Sequence, residues 1–383
     1  MPWNEETAMS NKERFISIAS QENANFSELC KEFMISRACG YKWMNRYRET
    51  GRSGLENKSR RPIRSPSKTS DVLESKILEV RSLHPAWGAR KIRAYLSRKG
   101  VKGLPVPSTI TRILHRNNMI QDGESAKHQA FIRFEHEHPN QLWQMDFKGH
   151  FATRSGRCSP LTILDDCSRY SLALKACSNQ TEPMVRSALI EVFREYGMPE
   201  RMTMDNGAPW GYGPAVYGFT RLEVWLIRLG IRVGHSRPYH PQTQGKDERF
   251  HRTLQKELLD ERKFTDLEDV QRHFDEWRKC YNEERPHEAM KMQPPATRYR
   301  ISNRSYPEIL PPIGYDEGSI VRRVKANGEI YYKSKNYFIS ESMGGLPVRL
   351  EETNQDGVMA VYLCNKKVKE IDLTLKAVVN KAT

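Results

Sequence analysis

The hydrophobic pattern of this chain changes period at Gln141, and that change constrains the fold more than any other feature. Upstream, apolar residues recur every three to four positions, as on helices packed by one face. Downstream, short apolar runs of strand length alternate with amphipathic stretches of helix length, the signature of a mixed α/β domain. A chain of 383 residues carrying both patterns divides into several domains.

The upstream part reads as two helical units. In residues 12 to 50, Phe15, Ile18 and Ala19 sit at helical spacing, and the pattern recurs from Phe26 to Phe33. Met34-Ile35-Ser36-Arg37 predicts a tight turn with Ser36 as N-cap of the next helix. That helix carries Arg37, Lys42 and Arg46 opposite its apolar face, so the pair reads as a helix-turn-helix whose second helix enters the major groove. A stretch rich in Gly, Pro, Ser and Arg follows and includes Arg60, Arg61 and Arg64; it predicts an extended linker lying along phosphates. A second helical unit runs from Asp71 to about Ile120 and ends in a basic amphipathic helix with Arg112 and Arg116.

Charge follows the same division. The formal net charge is +15, and residues 37 to 120 hold 20 Lys/Arg against 5 Asp/Glu, a surplus of 15. The other 299 residues carry 42 basic against 42 acidic side chains and balance to zero. A solvated surface spreads its charge, whereas a nucleic-acid face concentrates it, so double-stranded DNA is the expected partner. The seven cysteines form no C-x-x-C pair, which argues against a disulfide framework and a structural zinc. No apolar run reaches the roughly 18 residues of a spanning helix, and the polar start lacks a leader pattern; the expectation is no membrane partner and a cytoplasmic location, nucleoid-associated when DNA is bound.

From Gln141 onward, strands are expected at 142–151, 161–165 and 170–176. A helix opens near Thr181 with Val185, Leu189, Val192, Phe193 and Tyr196 on one face and Gly197 closing it. A fourth strand at 201–204, a helix at 216–229, a fifth strand at 231–233 and helices at 246–259 and 266–285 complete a domain of ordinary size. A Pro-rich connector then leads to short alternating strands between 319 and 373, whose spacing suggests a small β-barrel.

Three carboxylates in the α/β part stand out. Asp146 lies in an apolar strand between Met145 and Phe147, where burial is costly unless it is paired or bound to metal. Asp205 opens Asp205-Asn206-Gly207 at a strand end, and Glu248 lies in the first turn of a helix. Each of the last two has a plain alternative, since Asp205-Asn206-Gly207 is good turn chemistry and Glu248 can pair with Arg252. Together they suit a divalent site: Mg²⁺ takes oxygen ligands, and two ions can serve both the attacking and leaving oxygens of a phosphodiester.

These motifs in order, Trp143-Gln144-Met145-Asp146-Phe147-Lys148-Gly149, Leu164-Asp165-Asp166-Cys167-Ser168-Arg169-Tyr170, Asp205-Asn206-Gly207 and His240-Pro241-Gln242-Thr243-Gln244-Gly245-Lys246-Asp247-Glu248-Arg249-Phe250, behind tandem helix-turn-helix units, resemble the DDE transposases of bacterial insertion sequences. Their core is similar to that of retroviral integrases. The resemblance covers nearly the whole chain and implies a multidomain fold: all-α helix-turn-helix domains at 1–55 and 71–122, linkers at 56–70 and 123–138, an α/β RNase H-like core at 139–285, a connector at 286–315 and a small β-barrel at 316–376. It implies a catalytic and metal-binding triad of Asp146, Asp205 and Glu248 with Mg²⁺ or Mn²⁺, two ions per site, and a homo-oligomer at least dimeric on paired element ends and target DNA. Asp247 competes with Glu248 for the third position, and the family pattern favours Glu248.

The 42 residues between Asp205 and Glu248 exceed the compact integrase spacing; the surplus falls in the Gly/Pro/aromatic loop 208–214, expected either to contact a DNA end or to pack structurally. Lys246, Arg249 and Arg252 are candidates for phosphate neutralisation or for a solvated helix face, and His240 for orienting substrate or for a structural hydrogen bond. The rival functions are a DNA-binding regulator with a degenerate core used as a scaffold, and a simple metal nuclease. The intact carboxylates argue against the first, and the tandem DNA-binding units against the second.

Overall fold

A computed structural model describes residues 5–57, 68–120, 136–205, 207, 209–210, 218–235 and 245–374. Arg60, Arg61, Arg64, His240 and most of the loop 208–214 lie outside the described residues. The chain divides into two units, 1–68 and 69–383. No described helix is long and apolar enough to cross a membrane.

The first unit is a three-helix cluster of α1 (Glu5–Ala19), α2 (Phe26–Glu32) and α3 (Arg37–Thr50). Phe15, Ile16, Leu29, Cys30, Met44 and Leu55 form its core. The Ser36 hydroxyl accepts the Cys39 amide at 3.2 Å and caps α3, as the turn sequence predicts. Gly40 lets α3 approach its neighbours: a Cβ there would meet Cys30 Sγ at 2.8 Å and Phe15 at 3.0 Å. Arg37 and Lys42 remain exposed, while the Arg46 guanidinium lies 5.1 Å from the Trp43 ring.

The second unit begins with another trihelical cluster, α4 (Asp71–Leu83), α5 (Ala89–Arg98) and α6 (Pro107–Arg116), closed around Ile77, Trp87, Ile92, Ile110 and Leu114. Pro107 occupies the first turn of α6, which has no side-chain cap. Helix α5 lies against the rest of the unit. Its Arg98 guanidinium donates to the Glu284 and Met292 carbonyls, and Lys91 Nζ stands 4.0 Å from Glu257, which also holds Arg285 Nε at 2.9 Å. Arg112 on α6 stays exposed, whereas Arg116 pairs with Glu74 of α4.

The central sheet contains β1 (Trp143–Phe147), β2 (Phe151–Ala152), β3 (Arg157–Asp165), β4 (Ser171–Cys177), β5 (Arg201–Met204) and β6 (Arg232–His235). Strand β3 pairs antiparallel with β1, β2 and β4, and β1, β5 and β6 run parallel. The order β4-β3-β1-β5-β6, three antiparallel strands followed by two parallel additions, is the RNase H-like arrangement. The expected first strand breaks at Gly149, whose φ of 81° makes the turn from β1 to β2, and β3 starts earlier than the apolar run suggests.

Helices cover both faces, and the period-two alternation of the strands assigns each side chain. Trp143, Met145, Leu161 and Ile163 pack with α7 (Glu182–Tyr196) and α8 (Arg221–Arg228). Cys158 and Leu164 pack with α9 (Gly245–Leu254) and α10 (Leu267–Lys279) through Phe250, Leu254, Phe274 and Trp277. Both α9 and α10 end in π-helical turns, Gln255–Leu259 and Cys280–Glu284, so each expected helix is shorter and its end wider than periodicity indicates. Gly197 terminates α7 at φ 72° because a side chain there would collide with the Ser302 and Arg304 carbonyls. The Pro-rich connector is thereby strapped to the core, with Tyr299 stacked on Tyr170 at 4.4 Å.

The C-terminal strands β7 (Ile320–Arg323), β10 (Pro347–Glu352), β11 (Val358–Leu363) and β12 (Lys366–Asp372) form a sheet in the order β12-β11-β10-β7, beside a hairpin of β8 (Glu329–Tyr332) and β9 (Lys335–Phe338). Where a small barrel was expected, two sheets are found, and no described pairing closes β12 onto β7. Their apolar face, including Val348, Leu350, Val361 and Leu363, is completed by Val224 and Ile227 of α8. Covering by a helix removes the need to curl shut.

Candidate active site

Strands β1 and β5 are parallel neighbours, with Trp143 opposite Met202 and Gln144 opposite Thr203. Continuing that register by two residues sets Asp146 level with Asp205, at the carboxyl ends of adjacent parallel strands. Ligand sites of open α/β sheets commonly form there. Asp146 shares the α9 side of the sheet with its cross-strand partner Thr162, and Glu248 stands exposed in the first turn of α9.

Electrostatics ties the three together. Burial lifts the Asp146 carboxyl to about 6; the Phe147 amide, donating to Asp146 Oδ1 at 2.8 Å, opposes the rise, and the negative charges of Asp205 and Glu248 add to it. Mutually repelling carboxylate oxygens, one of them partly desolvated, suit a small hard dication, which would remove the cost of ionising Asp146. Asp247 takes a different place: it is 1 % exposed, and its Oδ1 has no hydrogen-bond partner among the described residues. Burial raises it well above the ordinary carboxylate range, with Asp146 and Asp166 contributing.

The start of α9 is anchored by a buried ion pair. Lys246 Nζ contacts the Asp166 carboxylate, which also accepts from Gln144 Nε2 at 2.9 Å and from the His136 amide at 3.0 Å. Lys246 is thus turned into the protein, while Arg249 and Arg252 are exposed on α9. Trp210, from the loop 208–214, is buried and stacked on Phe147 at 5.3 Å, so this part of the loop packs against the end of β1.

Two histidines escaped sequence reasoning. Thr162 Oγ1 donates to the Asp146 carbonyl at 3.0 Å, so His251 Nε2, 2.9 Å away, must donate to Thr162. His251 Nδ1 then faces Asp146 Oδ2 at 4.0 Å, and burial, aided by Lys148, pushes the ring down to about 4. The i, i+3 spacing from Glu248 was the available signal. His235, the last residue of β6, bridges the Asp205 carbonyl (Nδ1, 3.0 Å) and buried Glu223 (Nε2, 2.8 Å); the Glu223 hydrogen bond raises it above the ordinary imidazole range against the opposing effect of burial. Nothing in the sequence marks Glu223 as more than a helix-surface residue.

A third group, His84, Cys280 and Glu284, places its donor atoms within 4.8 Å of one another where α5 meets the π-helical turn. Burial pushes the Cys280 thiol up to about 12, and Glu284 faces Lys99 at 3.5 Å. That chemistry opposes a thiolate ligand.

Family models match successive stretches of the chain. A helix-turn-helix domain matches residues 14–63, a homeodomain-like domain 39–114, two integrase core domain models 136–241 and 229–295, and the C-terminal domain of IS481 family transposases 319–379. The chain belongs to the DDE transposases of insertion sequences. This transposase is 24% identical over 239 residues to the insertion element IS407 31.7 kDa protein of Burkholderia multivorans, covering 60% of the present chain and 82% of that one. It is 23% identical over 253 residues to the transposase for insertion sequence element IS904 of Lactococcus lactis, covering 61% and 96%. Among solved structures it resembles the HTLV-2 integrase catalytic core domain in complex with magnesium at 15% identity and a TM-score of 0.33, covering 43% and 99%. It is a DNA transposase, a polynucleotidyl transferase of the DDE type.

Proposed function

We propose that Asp146, Asp205 and Glu248 are the catalytic triad, that they hold two Mg²⁺ or Mn²⁺ ions, and that the transposase both hydrolyses a phosphodiester at the element end and joins the freed 3′-hydroxyl to target DNA. The observation that supports this most is the mutual placement of the three carboxylates: Asp146 and Asp205 lie level on parallel strands, and both Asp205 and Glu248 act on the Asp146 carboxyl. In the first step a water oxygen bonds to phosphorus, the P–O3′ bond breaks, and the 3′-oxygen leaves with a proton. In the second, that 3′-oxygen loses its proton, bonds to a target phosphorus and displaces the target 3′-oxygen, so phosphodiester bonds are conserved and no enzyme-linked intermediate is required. The bound cations would supply the charge that stabilises the developing negative oxygens. The protein's part is positional. The sheet fixes Asp146 and Asp205, the Lys246–Asp166 pair fixes the start of α9 and hence Glu248, and exposed Arg249 and Arg252 offer phosphate contacts at the rim.

End recognition falls to α3 with Arg37, Lys42 and Arg46, to α6 with Arg112 and Arg116, and to Arg60, Arg61 and Arg64 along the linker. Releasing Arg116 from Glu74 is part of engaging DNA. Pairing two ends calls for at least two protomers. The deciding experiment incubates element-end DNA and divalent metal with Asp205→Asn and Glu248→Gln proteins. Both should lose 3′-end joining by more than about a hundredfold while binding ends normally. Joining at the wild-type rate by Asp205→Asn would remove it from the triad.

A further inference from the structure

Asp205 directly follows β5, one position beyond the ladder pair Met204 and His235. At that point the side chain of His235 continues the ladder: its Nδ1 donates to the Asp205 carbonyl at 3.0 Å. The ring is fixed from its other end by Glu223 Oε1 at 2.8 Å. Glu223 is 4 % exposed and is itself immobilised, because its Oε2 accepts the Thr220 amide at 2.7 Å while the Thr220 hydroxyl accepts the Glu223 amide at 3.1 Å, a reciprocal capping box at the start of α8. The Asp205 carbonyl can only accept, so Nδ1 carries the proton of that bond, and Nε2 is held by Glu223 whichever of the two bears the other proton. The neighbours of Glu223 on α8, Val224 and Ile227, belong to the core of the C-terminal sheet, and Ser340 of that region bonds the Phe219 backbone just ahead of the cap.

We propose that His235 is a positioning residue that fixes the peptide of Asp205 by tying it to Glu223 on α8, and that the C-terminal sheet, by closing on the same helix, braces the metal-holding end of β5. The inference rests on the reading of Asp205 as a metal-holding carboxylate. Rotation of the Asp205 peptide swings its side chain relative to Asp146, and a site built from two strands and a helix tolerates little such error.

Two isosteric substitutions separate the halves of the bridge. His235→Asn keeps an amide donor near the position of Nδ1 and loses the reach to Glu223. His235→Gln extends its amide toward the position of Nε2 and loses the contact with Asp205. Mn²⁺ binding to the full-length protein, followed by electron paramagnetic resonance of the free ion, reads the site without turnover; element-end binding and the metal-free melting temperature are measured in parallel. His235→Ala and His235→Gln should weaken Mn²⁺ binding about ten- to a hundredfold, the usual effect of losing an outer-sphere partner. His235→Asn, which keeps the Asp205 contact but breaks the tie to Glu223, should weaken it as well, and end binding should not change in any of the three. Wild-type Mn²⁺ binding by either His235→Asn or His235→Gln overturns the proposal. An Asp205→Asn control keeps the two readings apart: if it binds Mn²⁺ normally, the triad assignment fails first, whereas loss there with normal binding in His235→Gln refutes the bridge alone.

Discussion

Replacing Lys246 with methionine tests whether this cation serves the fold or the DNA. The side chains of Lys246 and Asp166 are 16 % and 2 % exposed, so the pair sits almost out of water. Removing one member of such a pair costs about 3–5 kcal/mol, because the partner is left buried and charged. Asp166 would keep its hydrogen bonds from Gln144 and the His136 amide, which puts the loss near the lower end, about 3 kcal/mol. At about 2–4 °C per kcal/mol for domains of this size, the melting temperature should fall by roughly 6–12 °C. Adding Asp166→Asn should restore much of that loss, since the stranded charge is gone. A phosphate-neutralising lysine behaves oppositely: its removal leaves the melting temperature alone and makes the salt dependence of end binding shallower by about 0.9 in log–log slope. Thermal denaturation of the full chain and end binding between low and moderate salt distinguish the two. A Lys246→Met protein that melts within 1 °C of wild type, by this order-of-magnitude reasoning, refutes the anchoring role.

Three further outcomes follow from the geometry. Asp146, held at about 6 against an ordinary value of 3.8, keeps a proton in the folded state that the unfolded chain has released, so metal-free stability should decline as pH rises from about 4 through 6. His251, held at about 4, acts with opposite sign and costs stability as pH falls below its ordinary value; comparing wild type with Asp146→Asn in pH-dependent denaturation isolates the first, and an Asp146→Asn protein with the wild-type slope contradicts it. Gly40→Val drives a side chain into Cys30 and Phe15, so a filter-binding assay should register weaker end binding, with the melting of the second unit unchanged. Phe250, 1 % exposed and edge-on to Trp277 and Tyr281, should cost about 3–5 kcal/mol as alanine in urea denaturation; a loss under about 1 kcal/mol would mean that α9 is held from elsewhere.

The period change at Gln141 and the alternation of apolar runs made a mixed α/β core legible, because strands buried on both faces and amphipathic helices leave strong local signals; its RNase H-like character came from the resemblance carried by the acidic motifs. Ser36 and Gly197 were readable for the same reason: caps are short-range chemistry. Other features were decided at long range. The C-terminal strands alternate as barrel strands do, but they form two open sheets, and their apolar face is completed by Val224 and Ile227 from far along the sequence. The π-helical ends of α9 and α10 leave no trace in hydrophobic spacing. Carboxylates sorted differently: Asp146 drew notice by sitting in an apolar strand, whereas Glu223, more deeply buried, hid in a helix whose sequence looked amphipathic. Lys246 looked like a surface cation until Asp166, 80 residues away, supplied its partner.

The seating of α5 against the core, with Arg98 gripping the Glu284 and Met292 carbonyls, has a consequence for the DNA. On the proposed reading, in which α6 contacts the element end and the three carboxylates cut it, a fixed offset between α6 and the core makes the number of base pairs between the bound sequence and the cut strand a matter of helical phase. Five base pairs inserted there turn the duplex through about half of its 10–10.5 bp repeat and present the wrong side of the backbone to the carboxylates, whereas ten restore the side and change only the distance. On that reading the transposase would measure its element end in rotation as much as in length.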